Sequence, residues 1–342
     1  MSADVLRPAA AVQLRRAPWR SAVALGKQIV KMISIVLLIA VFNFLLIRAA
    51  PGDPALVIAG QSGAVDAQFV ARIRTEYGLD KPMAVQLGAY LDKIAHLDLG
   101  YSYRQQRPVL SLILERLPAT LLLALSAFAL SLVGGVLLGC LAGVRAGRWS
   151  DTVITVISLV VYATPVFWLG LMLVLLFAVH LQWLPAFGYR DVSQTLTGWA
   201  AVFDVARHLV LPAVTLGMLY LAVYTRLMRA SIIEVSHQDY VKTARAKGAA
   251  PRRILWRHMV RNALLPVVTM AGLQAGTLIG GSVVIETVFA WPGLGRLTYE
   301  AVLARDYQVL QGVFFVLSVV VVLLNWLTDL LYRVVDPRIR AG

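Results

Sequence analysis

DYVKTARAKGAAPRRILWRHMVRNALLPV, residues Asp239 to Val267, is the strongly basic interruption of an otherwise apolar C-terminal half. From Arg226 to Arg261, nine Lys and Arg residues stand against two acids, Glu234 and Asp239. The segments on either side are apolar enough to cross a bilayer, and so basic a loop between them belongs on the cytoplasmic side by the positive-inside rule. Its internal order is that of an elbow. Ser231 to Lys247 has helical composition, and Gly248 interrupts it where a chain needs either φ > 0 or a close backbone approach. Pro251 suits the first turn of a second helix, in which Ile254, Leu255, His258 and Met259 recur at three-to-four spacing. A helix-Gly-helix unit held against the membrane reads as a docking surface rather than a linker.

Composition agrees with the membrane reading. The 342 residues are 59% hydrophobic and 15% charged, with a mean hydropathy of +0.74, too little polar surface for a soluble protein of this length. A formal charge of +14 would suit a nucleic-acid binder. The excess of bases over acids falls on segments assigned to the cytoplasm, so it is topological, and no nucleic-acid partner is expected. The single cysteine, Cys140, excludes a disulfide within the chain and reads as a small buried apolar residue.

Six apolar spans are expected: 32–47, 120–144, 152–179, 209–227, 263–290 and 309–331. The basic residues 1–31 ahead of the first could mark a signal peptide. That stretch exceeds a usual signal core, and Lys31 and Arg48 can snorkel to complete an uncleaved span. Six spans put the N-terminal segment 1–31 and the tail 332–342 both in the cytoplasm. Pro165, Pro212 and Pro266 lie inside spans, where proline is tolerated because neighbouring helices satisfy the freed carbonyls. Residues 48–119 are too long for a turn. Met83, Leu87, Tyr90, Leu91 and Ile94 repeat at helical spacing, as do Leu110, Ile113, Leu114 and Leu117, so short amphipathic helices on the outer face are expected. They would serve either as a surface for a periplasmic partner or as a cap on their own subunit.

The chain lacks the chemistry of an enzyme. It has no GxxxxGKS/T to cradle a nucleotide, so ATP-driven work would need another subunit and energy would enter mechanically. His180, His208 and His258 are scattered, no HExxH, cysteine pair or GxSxG occurs, and neither cofactor nor metal is expected. Only Glu286 and Asp329 are acids inside spans, both near an end where water is reachable, and a structural role is the favoured reading. An ion-coupled carrier would want mid-span carboxylates or paired broken helices, and neither is evident. Gln274 and Asn325 suit helix-helix hydrogen bonding, and Gly276, Gly280 and Gly281 beside Ser282 a close packing face.

The basic stretch resembles the cytoplasmic coupling loop of ABC importer permeases, in the form found in the dipeptide, oligopeptide and nickel branch. The general pattern of Glu-Ala-Ala, three residues and Gly falls here on Lys242, Thr243, Ala244 and Gly248, so the acid is missing, and Leu265-Pro266 comes about five residues late. Both departures are similar to the peptide branch, which typically reads DYxxTARAKG followed by RNALLP. PGDP at 51–54, YGLDKP at 77–82, DLGYS at 98–102, WPGLGRL at 291–297, RDYxVxQG at 305–312 and DPRIR at 336–340 agree. The resemblance covers the chain from about residue 30 to its end.

It implies an all-α integral membrane protein with the six-helix type I importer permease fold, of the first-permease, B-type kind, in the bacterial inner membrane. A transmembrane core over 120–331 would contain the coupling loop 230–262. The implied partners are a second, homologous permease in a heterodimer, two cytoplasmic ABC ATPase subunits, a periplasmic or lipid-anchored solute-binding protein, and membrane lipid. The cargo would be a di- or oligopeptide, with a nickel chelate or glutathione as alternatives. ATPase coupling would fall on Asp239, Tyr240, Thr243, Ala244, Ala246, Gly248, Arg252, Arg253, Arg257 and Arg261. Glu286, Trp291, Pro292, Gly293, Leu294 and Gly295 lead out of the fifth span through a tight turn, and are expected to form a periplasmic gate or else a Trp anchor at the membrane interface.

Overall fold

A backbone inside hydrocarbon must satisfy its own hydrogen bonds, and the long apolar runs of this chain do so as helices. The computed structural model describes residues 18–49, 54–61, 66–76, 78–193 and 195–335. Helix α1 (Pro18–Arg48) leads to three shorter helices, α2 (Pro54–Gln61), α3 (Ala67–Glu76) and α4 (Met83–Ala95). A two-residue antiparallel pairing, β1 (Tyr101–Ser102) with β2 (Arg107–Pro108), is the only sheet among the described residues. Then come α5 (Val109–Val144), α6 (Trp149–Ala163), α7 (Val166–Leu173, running on as a π-helical segment to His180) and α8 (Trp199–Ser236). The elbow is α9 (Asp239–Ala246) and α10 (Pro251–Arg253), the latter passing through a π-helical Ile254–Val260 into α11 (Arg261–Val288); α12 (Leu294–Ala304) and α13 (Tyr307–Val335) complete the chain.

Four helices are long and apolar enough to cross a membrane unbroken: α1 over Gly26–Leu46, α5, α8 and α13 over Tyr307–Thr328. The spans number six if two bent pairs, 149–180 and 251–288, each count as one. The first pair departs from the straight span expected over 152–179, because α6 and α7 meet at 110°. Thr164, ahead of Pro165, is extended (φ −82°, ψ 132°), as the proline ring demands of its predecessor, so α6 stops and α7 starts afresh. Pro118, Pro212 and Pro266 stay inside continuous helices.

Three other expectations are corrected. Leu110 to Leu117 form no separate amphipathic helix but the first turns of α5. The fourth span begins ten residues early, at Trp199. Ser231–Lys247 is two helices, since Gln238 is extended (ψ 147°) and restarts the chain as α9. The amphipathic reading of 83–94 is met by α4, which packs Tyr90, Leu91 and Ile94 onto the protein's own core as a cap. Residues 1–17, 50–53 with most of PGDP, Tyr77, and 336–342 with DPRIR lie outside the described residues, as does the side chain of Asp329.

The core is built on α5 and α8. Gly135, Gly139 and Gly143, one per turn on α5, let the two backbones approach so closely that a Cβ at Gly139 would lie 2.7 Å from that of Met228. Three apolar clusters run along this pair. One joins α1, α12, α13 and the start of α5 around Ile113, Leu294 and Val309; the second gathers α7, α8 and α11 around Leu216, Phe289 and Trp291; the third holds the elbow through Ile232, Val241 and Met259. Gly276 packs α11 against Val321 and Asn325 of α13, the close-packing role its sequence suggested, whereas Gly280 faces open space.

Candidate functional site

The elbow hangs from the third cluster by few residues. On α9 only Val241 is fully buried, with Ala244 partly so, while Asp239, Tyr240, Thr243, Ala246 and Gly248 face outward. Gly248 has φ +72° and open space where a Cβ would stand, so of the two reasons for a glycine here the backbone angle decides. It closes α9 in a Schellman turn: Ala249 N–H donates to Ala244 C=O (3.2 Å) and Gly248 N–H to Arg245 C=O (3.0 Å). Pro251 starts the second arm as expected. There Ile254, Met259 and Val260 are buried, while Arg252, Arg253, Arg257 and Arg261 are exposed with Trp256. A tie between the arms runs from Asn262 Nδ2 to the Tyr240 hydroxyl (3.1 Å). The predicted coupling residues other than the partly buried Ala244 thus come together on one exposed, cationic elbow between α8 and α11.

At the far end of α11 the predicted gate residues also gather, but inward. Glu286, expected within reach of water, is 0% exposed, and Trp291, offered as an interfacial anchor, is 0% exposed too. The carboxylate accepts from the hydroxyls of Thr120 (2.8 Å) and Ser282 (3.0 Å) on Oε1 and from the Arg296 N–H (3.0 Å) on Oε2. Thr120 Oγ1 accepts in turn from the Leu294 N–H (2.7 Å). Trp291 Nε1 donates to Ala119 C=O (2.8 Å), and its ring stands edge-on to Tyr189 at 4.9 Å. Gly293, Leu294 and Gly295 are buried around the same carboxylate and Pro292 partly so; a Cβ at Gly295 would lie 2.6 Å from the Cα of Val283. One acid therefore locks α5, α11 and the start of α12 into a single knot.

A second polar lock has no precedent in the sequence reading. Asp151, in the first turn of α6, receives Arg229 of α8 in a two-point contact, Nε to Oδ1 at 2.5 Å and Nη2 to Oδ2 at 2.7 Å, and the Gly147 N–H at 3.0 Å. The acid is buried, its side chain 5% exposed against 32% for the arginine. The available signal is an acid just ahead of the apolar span 152–179 and an arginine two residues past the end of the span 209–227, where sequence alone marks it as one more topological charge.

The described residues thus combine an exposed cationic elbow, a glycine-packed pair of long helices and two buried polar knots. Residues 135–341 match the model of the binding-protein-dependent transport system inner membrane component, and 24–124 match that of the N-terminal part of such membrane components. A permease protein of Brucella abortus is 42% identical over 314 residues, covering 92% of this chain and 98% of that one. The dipeptide transport system permease protein DppB of Escherichia coli K12 is 40% identical over 319 residues, 88% of this chain and 94% of its own. The inward-facing MetNI methionine ABC transporter superposes with a TM-score of 0.52 over 66% of this chain and 96% of that chain; at 21% identity this shows the fold alone. The chain belongs to the inner-membrane permease components of binding-protein-dependent ABC importers, and the elbow, the knots and the spans are the parts of a multi-pass transport subunit.

Proposed function

We propose that this chain is the first of two homologous permease subunits importing di- or oligopeptides, driven by two cytoplasmic ATPase subunits and supplied by a periplasmic or lipid-anchored solute-binding protein. The observation that carries the reading is the elbow, exposed, basic and anchored by a few buried residues, the form a mechanical input needs in a chain without a P-loop of its own. Peptide cargo rests on the E. coli relative, a dipeptide permease by name. Import of a nickel chelate or glutathione would be driven through the same elbow, and the test separates them. Vesicles carrying the chain with its genomic neighbours should take up labelled dipeptide only with ATP and the binding protein. Uptake of the nickel chelate or glutathione but not of peptide would overturn the cargo.

In this reading both termini and 230–262 are cytoplasmic and 48–119 is periplasmic. Reporter fusions after Gly342 and within 230–262 should report cytoplasm and those within 53–116 periplasm; a periplasmic C-terminus ends the scheme. The outer gate belongs to the 286–295 knot moving as one body with α12, whose exposed Tyr299, Val302 and Leu303 offer the surface that meets the partner permease.

Gly248→Leu should leave the protein in the membrane and cut uptake roughly tenfold, because a side chain in the left-handed region costs ~1–2 kcal/mol and reopens the Schellman turn. Gly248→Asn should be close to wild type, since asparagine tolerates that region and the space around Gly248 is open. Equal loss in both variants would show that bulk against the ATPase, not backbone angle, matters.

A further inference from the structure

Where α1 ends, a cavity of about 220 Å³ opens between that end, the roof made by α3 and α4, and the turn joining α12 to α13. Its walls carry four cations, Arg48, Lys81, Lys93 and Arg305, and two acids, Asp98 and Asp306. Both acids are already engaged. Asp306 accepts from the Ser102 hydroxyl (2.5 Å) and the Val309 N–H (3.2 Å), and Asp98 accepts from the Gly100 N–H (3.0 Å). Four cations against two carboxylates leave the described lining net positive.

Arg48 is the telling residue. It is partly buried, and its recorded contact is the ring of Phe44, 5.5 Å from the guanidinium carbon; no carboxylate lies within ion-pair distance of it among the described residues. Burial pushes its guanidinium down from the ordinary arginine value. A partly desolvated cation on an aromatic face is stabilised further by an anion brought to it from outside. Lys81 likewise has no recorded ion pair among the described residues, and its methylene stem lies over Gly78 on the cavity rim. In the last three turns of α1 before Arg48, Leu38, Phe42, Leu45 and Leu46 are exposed, an apolar surface suited to acyl chains at the cavity's end of the helix.

We infer that this recess binds the phosphate headgroup of an acidic phospholipid, with Arg48 and Lys81 on the phosphate and the acyl chains along the exposed face of α1. Its assignment to the outer leaflet rests on the proposed topology; binding itself does not, because a nanodisc offers both leaflets. The phosphate group is shared by lipids and free phosphate; the exposed apolar residues in the turns of α1 before Arg48 favour the lipid.

The intact transporter should be placed in nanodiscs of phosphatidylcholine with a minor fraction of phosphatidylglycerol, and retained lipid counted by native mass spectrometry after mild detergent release. Wild type should retain phosphatidylglycerol over phosphatidylcholine, whose choline cation offsets its phosphate, by about fivefold, the size of one partly exposed ion pair. Arg48→Gln with Lys81→Gln should lose most of that preference, while Arg104→Gln, an exposed arginine outside the cavity, should keep it. Equal retention by wild type and the double variant overturns the site. Displacement of phosphatidylglycerol by millimolar inorganic phosphate alone would overturn the lipid and leave a soluble-anion site. Because Arg48→Gln can disturb α1, Arg48→Lys gives a second reading: preference kept in a correctly assembled complex supports a charge contact, and preference lost in it overturns one. A transporter that imports some other cargo, or inserts with inverted topology, would give the same lipid result, so failure here and failure of the functional reading are distinguishable.

Discussion

Glu286→Ala is expected to lower the thermal midpoint of the purified protein by about 5–10 °C, with a matching fall in the amount of monodisperse protein in detergent. The carboxylate is fully buried and accepts from Thr120, Ser282 and the Arg296 N–H, so truncation leaves three donors facing a void. An unsatisfied buried donor costs ~1–3 kcal/mol. Both hydroxyls can turn to other acceptors, so a total on the order of 4 kcal/mol is the reasonable expectation, and the void adds a packing loss. Glu286→Gln separates charge from shape. Its carbonyl can face the Arg296 N–H, which can only donate, while its NH2 faces two hydroxyls that can rotate to accept. The glutamine variant should therefore lose less than half of what alanine loses. A midpoint unchanged in Glu286→Ala would remove the knot as a structural element, and a glutamine variant as weak as alanine would make the negative charge itself the requirement.

The knot also shows where sequence reading stops. That Glu286 belonged with Trp291 to Gly295 was legible, because a lone acid at the end of an apolar span beside two glycines and a proline is conspicuous. That the group points inward was not, because its partners Thr120 and Ser282 are ordinary residues whose significance exists only once α5 and α11 are side by side. The elbow was legible almost residue by residue, since its signals, Gly248 and Pro251, act on the local backbone. The same holds for α4, whose period of apolar residues marks one face. The misread boundaries lie outside the apolar windows, which locate only the part of a helix inside the hydrocarbon. Helix α5 continues past it from Val109 because protein neighbours bury its first turns, whereas the first turns of α8, with Trp199, Val202 and Phe203, stay largely exposed. The 110° break at Pro165 was hidden because Pro212 and Pro266, also inside apolar spans, do not break their helices. Which proline breaks a span depends on whether neighbouring groups satisfy the freed carbonyls, and that is tertiary information.

The pair Asp151–Arg229 should give an asymmetric and non-additive set of losses. Arg229→Ala strands a buried carboxylate whose remaining partners are the Gly147 N–H at 3.0 Å and the distant Thr155 hydroxyl at 3.4 Å, and breaking a buried pair in this way costs ~3–5 kcal/mol. Asp151→Ala strands the more exposed partner, whose guanidinium can reach water, so about 2–3 kcal/mol is expected once solvent screening is allowed for. Replacing both, Asp151→Leu with Arg229→Met, removes two desolvated charges together and should destabilise less than Arg229→Ala alone. Transport should follow a different order. The pair fastens the start of α6 to α8 about two turns before α8 ends at Ser236 and hands over to the elbow, so every variant without it loosens the path from elbow to helix core. The double variant should therefore regain stability, read as the thermal midpoint, without regaining ATP-driven uptake. If its uptake returns along with its midpoint, the pair is a fastening only and carries no part of the coupling; if the two single losses simply add, Asp151 and Arg229 do not act as a pair at all.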